Sequence, residues 1–139
     1  MMINGAITSP TNPELVWSET VNVSAFTKYF FSAWAAPLFA ANPAKLEFII
    51  TGLQSDNTMQ LFLTTDQLTG TWAQVQGIWQ SGEDTSAKLD IYDLNTWDET
   101  GNDFALDDIN FAPIPEPASL LLFGSGIVGG ARLLRRKLM

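Results

Sequence analysis

The chain has 139 residues, 46% of them apolar, a formal net charge of −8, and neither Cys nor His. That gives room for one domain and enough apolar material for an ordinary core, while the missing Cys and His exclude disulfides, thiol nucleophiles, Ser-His-Asp triads and the usual zinc sites. All 15 acids lie at or before Glu116 and only Lys28, Lys45 and Lys88 precede Ala118, so this part of the chain carries −12, a charge that repels nucleic acid and attracts divalent cations.

From residue 1 to residue 112 the chain reads as short runs of β-branched and aromatic residues separated by Gly, Asn, Asp and Pro, which is the pattern of an antiparallel all-β domain. The predicted strands, in chain order, are Val16–Val23, Thr27–Ala35, Lys45–Thr51, Thr58–Thr64, Trp72–Trp79, Ala87–Leu94 and Asp103–Phe111. Breaks fall at Pro37, Asn42-Pro43, Gly52 to Asn57, Gly70, Ser81-Gly82 and Thr100-Gly101-Asn102, where turn formers replace alternation. Strands at this spacing predict a two-sheet β-sandwich. Trp17, Trp34, Trp72 and Trp79 are expected in its core.

In the last predicted strand, Phe104 and Leu106 share one parity, and Ile109 and Phe111 share the other. Both pairs can face a core only if one residue is extra, so a β-bulge is predicted at Asp107-Asp108. These two carboxylates, at a bend, are the candidate ligands of a structural calcium, which takes six to eight oxygens. They belong to a run of nine acids between Glu83 and Asp108 that includes one base, Lys88. Most of those acids read equally well as solvated loop charges. Acid density alone is not a glycosidase signature, because divided acid and base roles need one carboxyl in an apolar setting and another in a polar one. The chain is therefore read as a non-enzyme, with a small glycan-acting enzyme domain as the rival. Trp97, in Asn95-Thr96-Trp97-Asp98-Glu99-Thr100, is the only Trp with wholly polar near neighbours, and is the candidate stacking residue for a sugar.

Ala118 to Leu134 is a 17-residue apolar stretch interrupted by Arg132 and followed by Arg135, Arg136 and Lys137. As a helix it would reach about 25 Å, slightly short of a bilayer core, with Arg132 snorkelling to the interface. The basic cluster would stay in the cytoplasm and the preceding residues on the far side. Met1 to Gly5 offers neither a basic nor an apolar leader segment, so an export signal is expected upstream of Met1.

Ile114-Pro115-Glu116-Pro117-Ala118-Ser119-Leu120-Leu121-Leu122, the Gly-broken apolar stretch and the terminal Arg135-Arg136-Lys137 together resemble the PEP-CTERM sorting signal. The resemblance implies export, recognition of Pro115, Glu116 and Pro117 by a membrane-embedded exosortase, at least transient membrane anchoring by a single C-terminal helix over about 118–134, and a final location at the cell surface or in an exopolysaccharide matrix. The boundary between sandwich and sorting region is placed at 112/113, with the tail running over 113–139.

Gly101-Asn102-Asp103-Phe104-Ala105-Leu106-Asp107-Asp108-Ile109 with Phe111 is similar to the closing strand of galactose-binding-like jelly rolls. This second resemblance implies a jelly-roll-like sandwich, a structural calcium and binding to extracellular polysaccharide. Members usually begin with a further strand carrying a Gly-Phe-Glu-like segment, which this chain lacks. That absence leaves a third expectation, a fragment without independent activity.

Overall fold

Period-two alternation survives folding almost intact. The computed structural model describes residues 1–5, 13–39, 43–65, 68–95 and 102–115. Along these, strands form at Met2–Ile3 (β1), Glu14–Asn22 (β2), Lys28–Pro37 (β3), Lys45–Gly52 (β4), Thr58–Thr64 (β5), Ala73–Gln80 (β6), Ser86–Asp93 (β7) and Phe104–Pro113 (β8). Seven match the predicted strands to within two residues at either end. The eighth, β1, is two residues long, too short for any alternation to announce it, and it pairs with the start of β8.

The strands make two antiparallel four-stranded sheets, ordered β1-β8-β3-β6 and β2-β7-β4-β5. Only β4 and β5 are successive strands that pair within one sheet. Every other connection crosses to the opposite sheet, which is the wiring of a jelly roll and leaves edges at β1 and β6, β2 and β5. The described residues are thus an all-β antiparallel two-sheet sandwich. Among them no helix is long and apolar enough to cross a membrane. The expected anchor helix over 118–134 lies outside the described residues, with Glu116, Pro117, Arg132, Arg135, Arg136 and Lys137.

The core is built by one parity from each strand except β8, where the parity changes part-way along. Phe31 and Ala33 from β3, Leu46, Phe48 and Ile50 from β4, Leu89 and Ile91 from β7, and Phe104 and Leu106 from β8 are buried together. Burying each large side chain contributes roughly 1.5–3 kcal/mol. At one end Tyr29 stacks on Phe111 with centroids 4.8 Å apart, and Trp79 tilts against both. The Trp79 indole donates to the Asn57 carbonyl and the Tyr29 hydroxyl accepts from the Ser24 amide, so neither aromatic buries an unmet polar atom.

The predicted bulge is present. Ser32 pairs with Asn110 and Trp34 with Asp107, so Asp108 and Ile109 of β8 together oppose the single residue Ala33. Asp108 takes a left-handed backbone, φ 47°, a conformation that Asp and Asn tolerate better than other side chains. The extra residue lets Leu106 and Phe111 both reach the core from opposite parities.

Candidate functional site

The outer face of the β1-β8-β3-β6 sheet is set by the parity that the core does not use. On β3 this is Phe30, Ser32, Trp34 and Ala36, and on β6 it is Gln74, Gln76 and Ile78. Cross-strand pairs line these up: Asn110, Ser32 and Gln76 form one row, and Asp107, Trp34 and Gln74 the next. The face is therefore amide-rich, with an indole at its centre.

At the Trp34 row the surface hollows into an open cleft of about 300 Å³ lined by Trp34, Trp72, Asp107 and Asp108. The strand order gives each side a distinct character. Both acids come from β8 on one flank, Trp34 from β3 between, and Trp72 from the segment entering β6 on the other. Trp72 is positioned by the turn before it, in which the Gly70 amide donates to the Pro37 carbonyl and the Thr71 amide to the Leu68 carbonyl. Gly70 sits at φ 78°, which glycine adopts without steric cost.

Two of the four expected core tryptophans do not behave as such. Trp79 is buried and Trp17 packs against the core, but Trp34 is half-buried and Trp72 is 44% exposed. The signal was in the parity: Trp72 shares its side of the strand with Gln74, Gln76 and Ile78, while Val75 and Trp79 occupy the other. The candidate stacking residue Trp97 lies outside the described residues.

Asp107 and Asp108 are both exposed, and the Asp107 carboxylate accepts from the Asp108 amide. Together they offer four carboxylate oxygens at most, so a calcium ion needing six to eight would draw the rest from carbonyls or solvent. Among the described residues no group of three or more acids is gathered where it could hold a metal.

Most of the other acids in the run serve the fold. Asp84 is fully buried and accepts from the Ser55 hydroxyl and the Gln54 and Ser55 amides. These bonds, the Ser55 hydroxyl first, hold its carboxyl below the usual range despite burial. Asp90 pairs with Lys88 at 3.0 Å and accepts at 2.6 Å from Ser18, its cross-strand neighbour on β2 of the same sheet. Asp93 is fully buried, and burial pushes its carboxyl up to about 6, against the Asn95 amide that donates to it and with the charge of Glu14 adding to the rise. Asp103 accepts from the Gly5 amide.

Residues 113–137 match the PEP-CTERM protein-sorting motif. The chain ends in a PEP-CTERM sorting signal. That signal begins without a linker: β8 ends at Pro113, and the Ile114 amide still donates to the Lys28 carbonyl.

The fold is similar to those of carbohydrate-binding jelly-roll domains. One is a structure described as "CBM4 structure and function" (12% identity, TM-score 0.52, 70% of this chain and 59% of that one). Another is the EclA C-terminal domain, a sugar-binding protein (17% identity, TM-score 0.57, 80% of this chain and 75% of that one). A third is the CBM22-1 xylan-binding domain from Paenibacillus barcinonensis Xyn10C (14% identity, TM-score 0.50, 70% of this chain and 65% of that one). This chain thus spans less than two thirds of the first and third. At these identities the likeness concerns the fold. No curated protein sequence matches the chain.

Proposed function

We propose that this is an exported, non-catalytic surface or matrix protein that binds polysaccharide in the Trp34, Trp72, Asp107 and Asp108 cleft and is sorted by an exosortase through Pro115, Glu116 and Pro117. The observation that carries the binding reading is the cleft itself, lined by two indoles and two carboxylates: an indole can stack on the apolar side of a pyranose ring, and a carboxylate can accept from its hydroxyls. Its volume is at the lower end for small-ligand sites, enough for a sugar unit whose neighbours extend over the Gln74, Gln76 and Asn110 rows. The sugar-binding neighbours of the same fold support this assignment.

The rival is a glycan-cleaving enzyme. Such enzymes place two carboxyl groups on either side of the scissile bond. Here both acids come from one strand on one flank, and the opposite flank is Trp72, an arrangement suited to holding a ring. Calcium at Asp107 and Asp108 is a separate proposal with its own test.

Titration calorimetry of the full chain against a panel of soluble oligosaccharides tests the binding reading. Wild type is expected to bind at least one, and Trp72→Ala to lose that affinity while keeping the wild-type melting temperature. Turnover of any panel member that vanishes in Asp107→Asn or Asp108→Asn would establish the enzyme instead.

A further inference from the structure

We infer that the cleft selects glycans bearing free, protonated amino groups, such as de-N-acetylated hexosamine oligomers, over N-acetylated or neutral ones. The inference rests on the sugar-binding reading and adds charge to it.

The argument begins with two adjacent carboxylates beside two indoles. Neutral hydroxyls can be bound by amides, and this face already has Gln74, Gln76 and Asn110 for that purpose. Covering two charged carboxylates with a neutral ring removes their water without returning a charge. An ammonium group returns that charge through charge-assisted hydrogen bonds, and an indole face attracts the same cation through its quadrupole. Both types of wall therefore favour one ligand charge.

No lysine among the described residues pairs with these acids, and the Met1 α-ammonium donates instead to the carbonyl of Leu106, the residue before Asp107. Lys88 pairs with Asp90 on the opposite sheet, and Lys45 starts β4, also in that sheet. Lys28 shares the outer face but lies six residues along β3 from Trp34, roughly 20 Å at strand rise. Backbone geometry then fixes the acids in place: Asp108 is the extra residue of the bulge at φ 47°, and its amide ties down the Asp107 carboxylate. Anionic glycans meet both this pair and the overall −12 of the residues before Ala118.

The test compares the full chain binding to a glucosamine oligomer, its fully N-acetylated counterpart of equal length, a neutral cello-oligomer and an oligolysine of matched charge, at low and physiological salt, below the amine's titration range. The glucosamine oligomer is expected to bind at least tenfold tighter than the N-acetylated one, with a preference that shrinks as salt rises. Asp107→Asn and Asp108→Asn should each remove most of that preference by weakening the glucosamine oligomer far more than the neutral one, since Asn keeps the shape, can still accept from a hydroxyl and tolerates the left-handed backbone. Trp72→Ala should weaken every sugar. Equal or tighter binding of the N-acetylated or neutral oligomer overturns the amine selectivity and leaves the sugar reading standing. Oligolysine binding as tightly as the glucosamine oligomer, insensitive to Trp72→Ala, reduces the effect to bulk charge and overturns it too. Failure of wild type to bind any sugar defeats the sugar reading itself.

Discussion

Trp34 of β3 is the cross-strand partner of Asp107 of β8, although the two are separated by more than half the chain. The pairing sets an indole beside a carboxylate at the centre of an exposed face, and the bulge just after Asp107 adds Asp108 to the same cleft. Truncating Trp34 to Ala should lower glycan affinity by about tenfold, equivalent to about 1.4 kcal/mol, and should also lower stability, since Trp34 is half-buried. Trp72→Ala should cost similar affinity with little loss of stability, because Trp72 is largely exposed. Calorimetric binding and thermal melts on the same preparations separate the two.

The backbone at Asp108 makes a second prediction that runs against ordinary expectation for a strand. Gly at this position removes a carboxylate yet relieves the left-handed conformation, so Asp108→Gly should melt at or above the wild-type temperature. Asp108→Val should be destabilised by about 1–2 kcal/mol, since a β-branched residue fits φ 47° poorly. If Asp108→Gly is much less stable than wild type, the carboxylate itself supports the fold, as a structural calcium ligand would.

Much of this was legible before the fold was known, and for a definite reason. The parity conflict between Phe104 and Leu106 on one side and Ile109 and Phe111 on the other demands a bulge whatever the partner strand is. The sorting signal was readable because it is a contiguous string. The cleft was not, because it depends on which strand lies beside which: nothing local to Trp34 says that Asp107 will be its neighbour. Trp72 is a different failure, since its shared parity with Gln74 and Gln76 marked it as outward-facing, and its size alone argued for the core. The acidic run between Glu83 and Asp108 looked like one feature in sequence, but the sandwich distributes it between turn, sheet surface, interior and cleft.

Within that distribution Asp84 has a structural task that Gly52 makes testable. A Cβ on Gly52 would overlap an Asp84 carboxylate oxygen. Gly52→Ala should therefore push the carboxylate off the Gln54 and Ser55 donors and lower the melting temperature by about 5 °C or more. Asp84→Ala should do likewise, and the double variant should be less than additive because both changes break the same turn. Additive losses in the double-mutant cycle would show that Gly52 acts elsewhere.

Calcium at Asp107 and Asp108 has an outcome that differs from amine binding. A calcium ion bound only by the folded chain should raise stability by about 2.7 kcal/mol at one hundred times its dissociation constant, and chelator should remove the gain. Asp107→Asn should abolish it. Calcium would also compete with a glucosamine oligomer for the same carboxylates. A melting temperature unmoved by millimolar calcium would leave the two acids to the glycan alone.

The last prediction concerns pH and follows from Asp93. Burial raises its carboxyl to about 6 in the folded chain, with the charge of Glu14 adding to the rise, while in the unfolded chain it titrates near the ordinary value of about 4. Between these values the folded state holds the proton that the unfolded state has released. Stability from this group is therefore fully present below about pH 4, falls as pH rises, and has been lost above about pH 6, the reverse of a salt-bridged Asp. Asp84, with its lowered value, acts in the opposite sense, but its loss of stability occurs below pH 4, outside this window. Unfolding free energies of wild type and Asp93→Asn measured every half unit from pH 4 to pH 7 should show a wild-type decline across the window that the variant lacks. Parallel curves would mean that Asp93 titrates in the folded chain as it does in the unfolded one, and that water or an ion reaches its carboxylate.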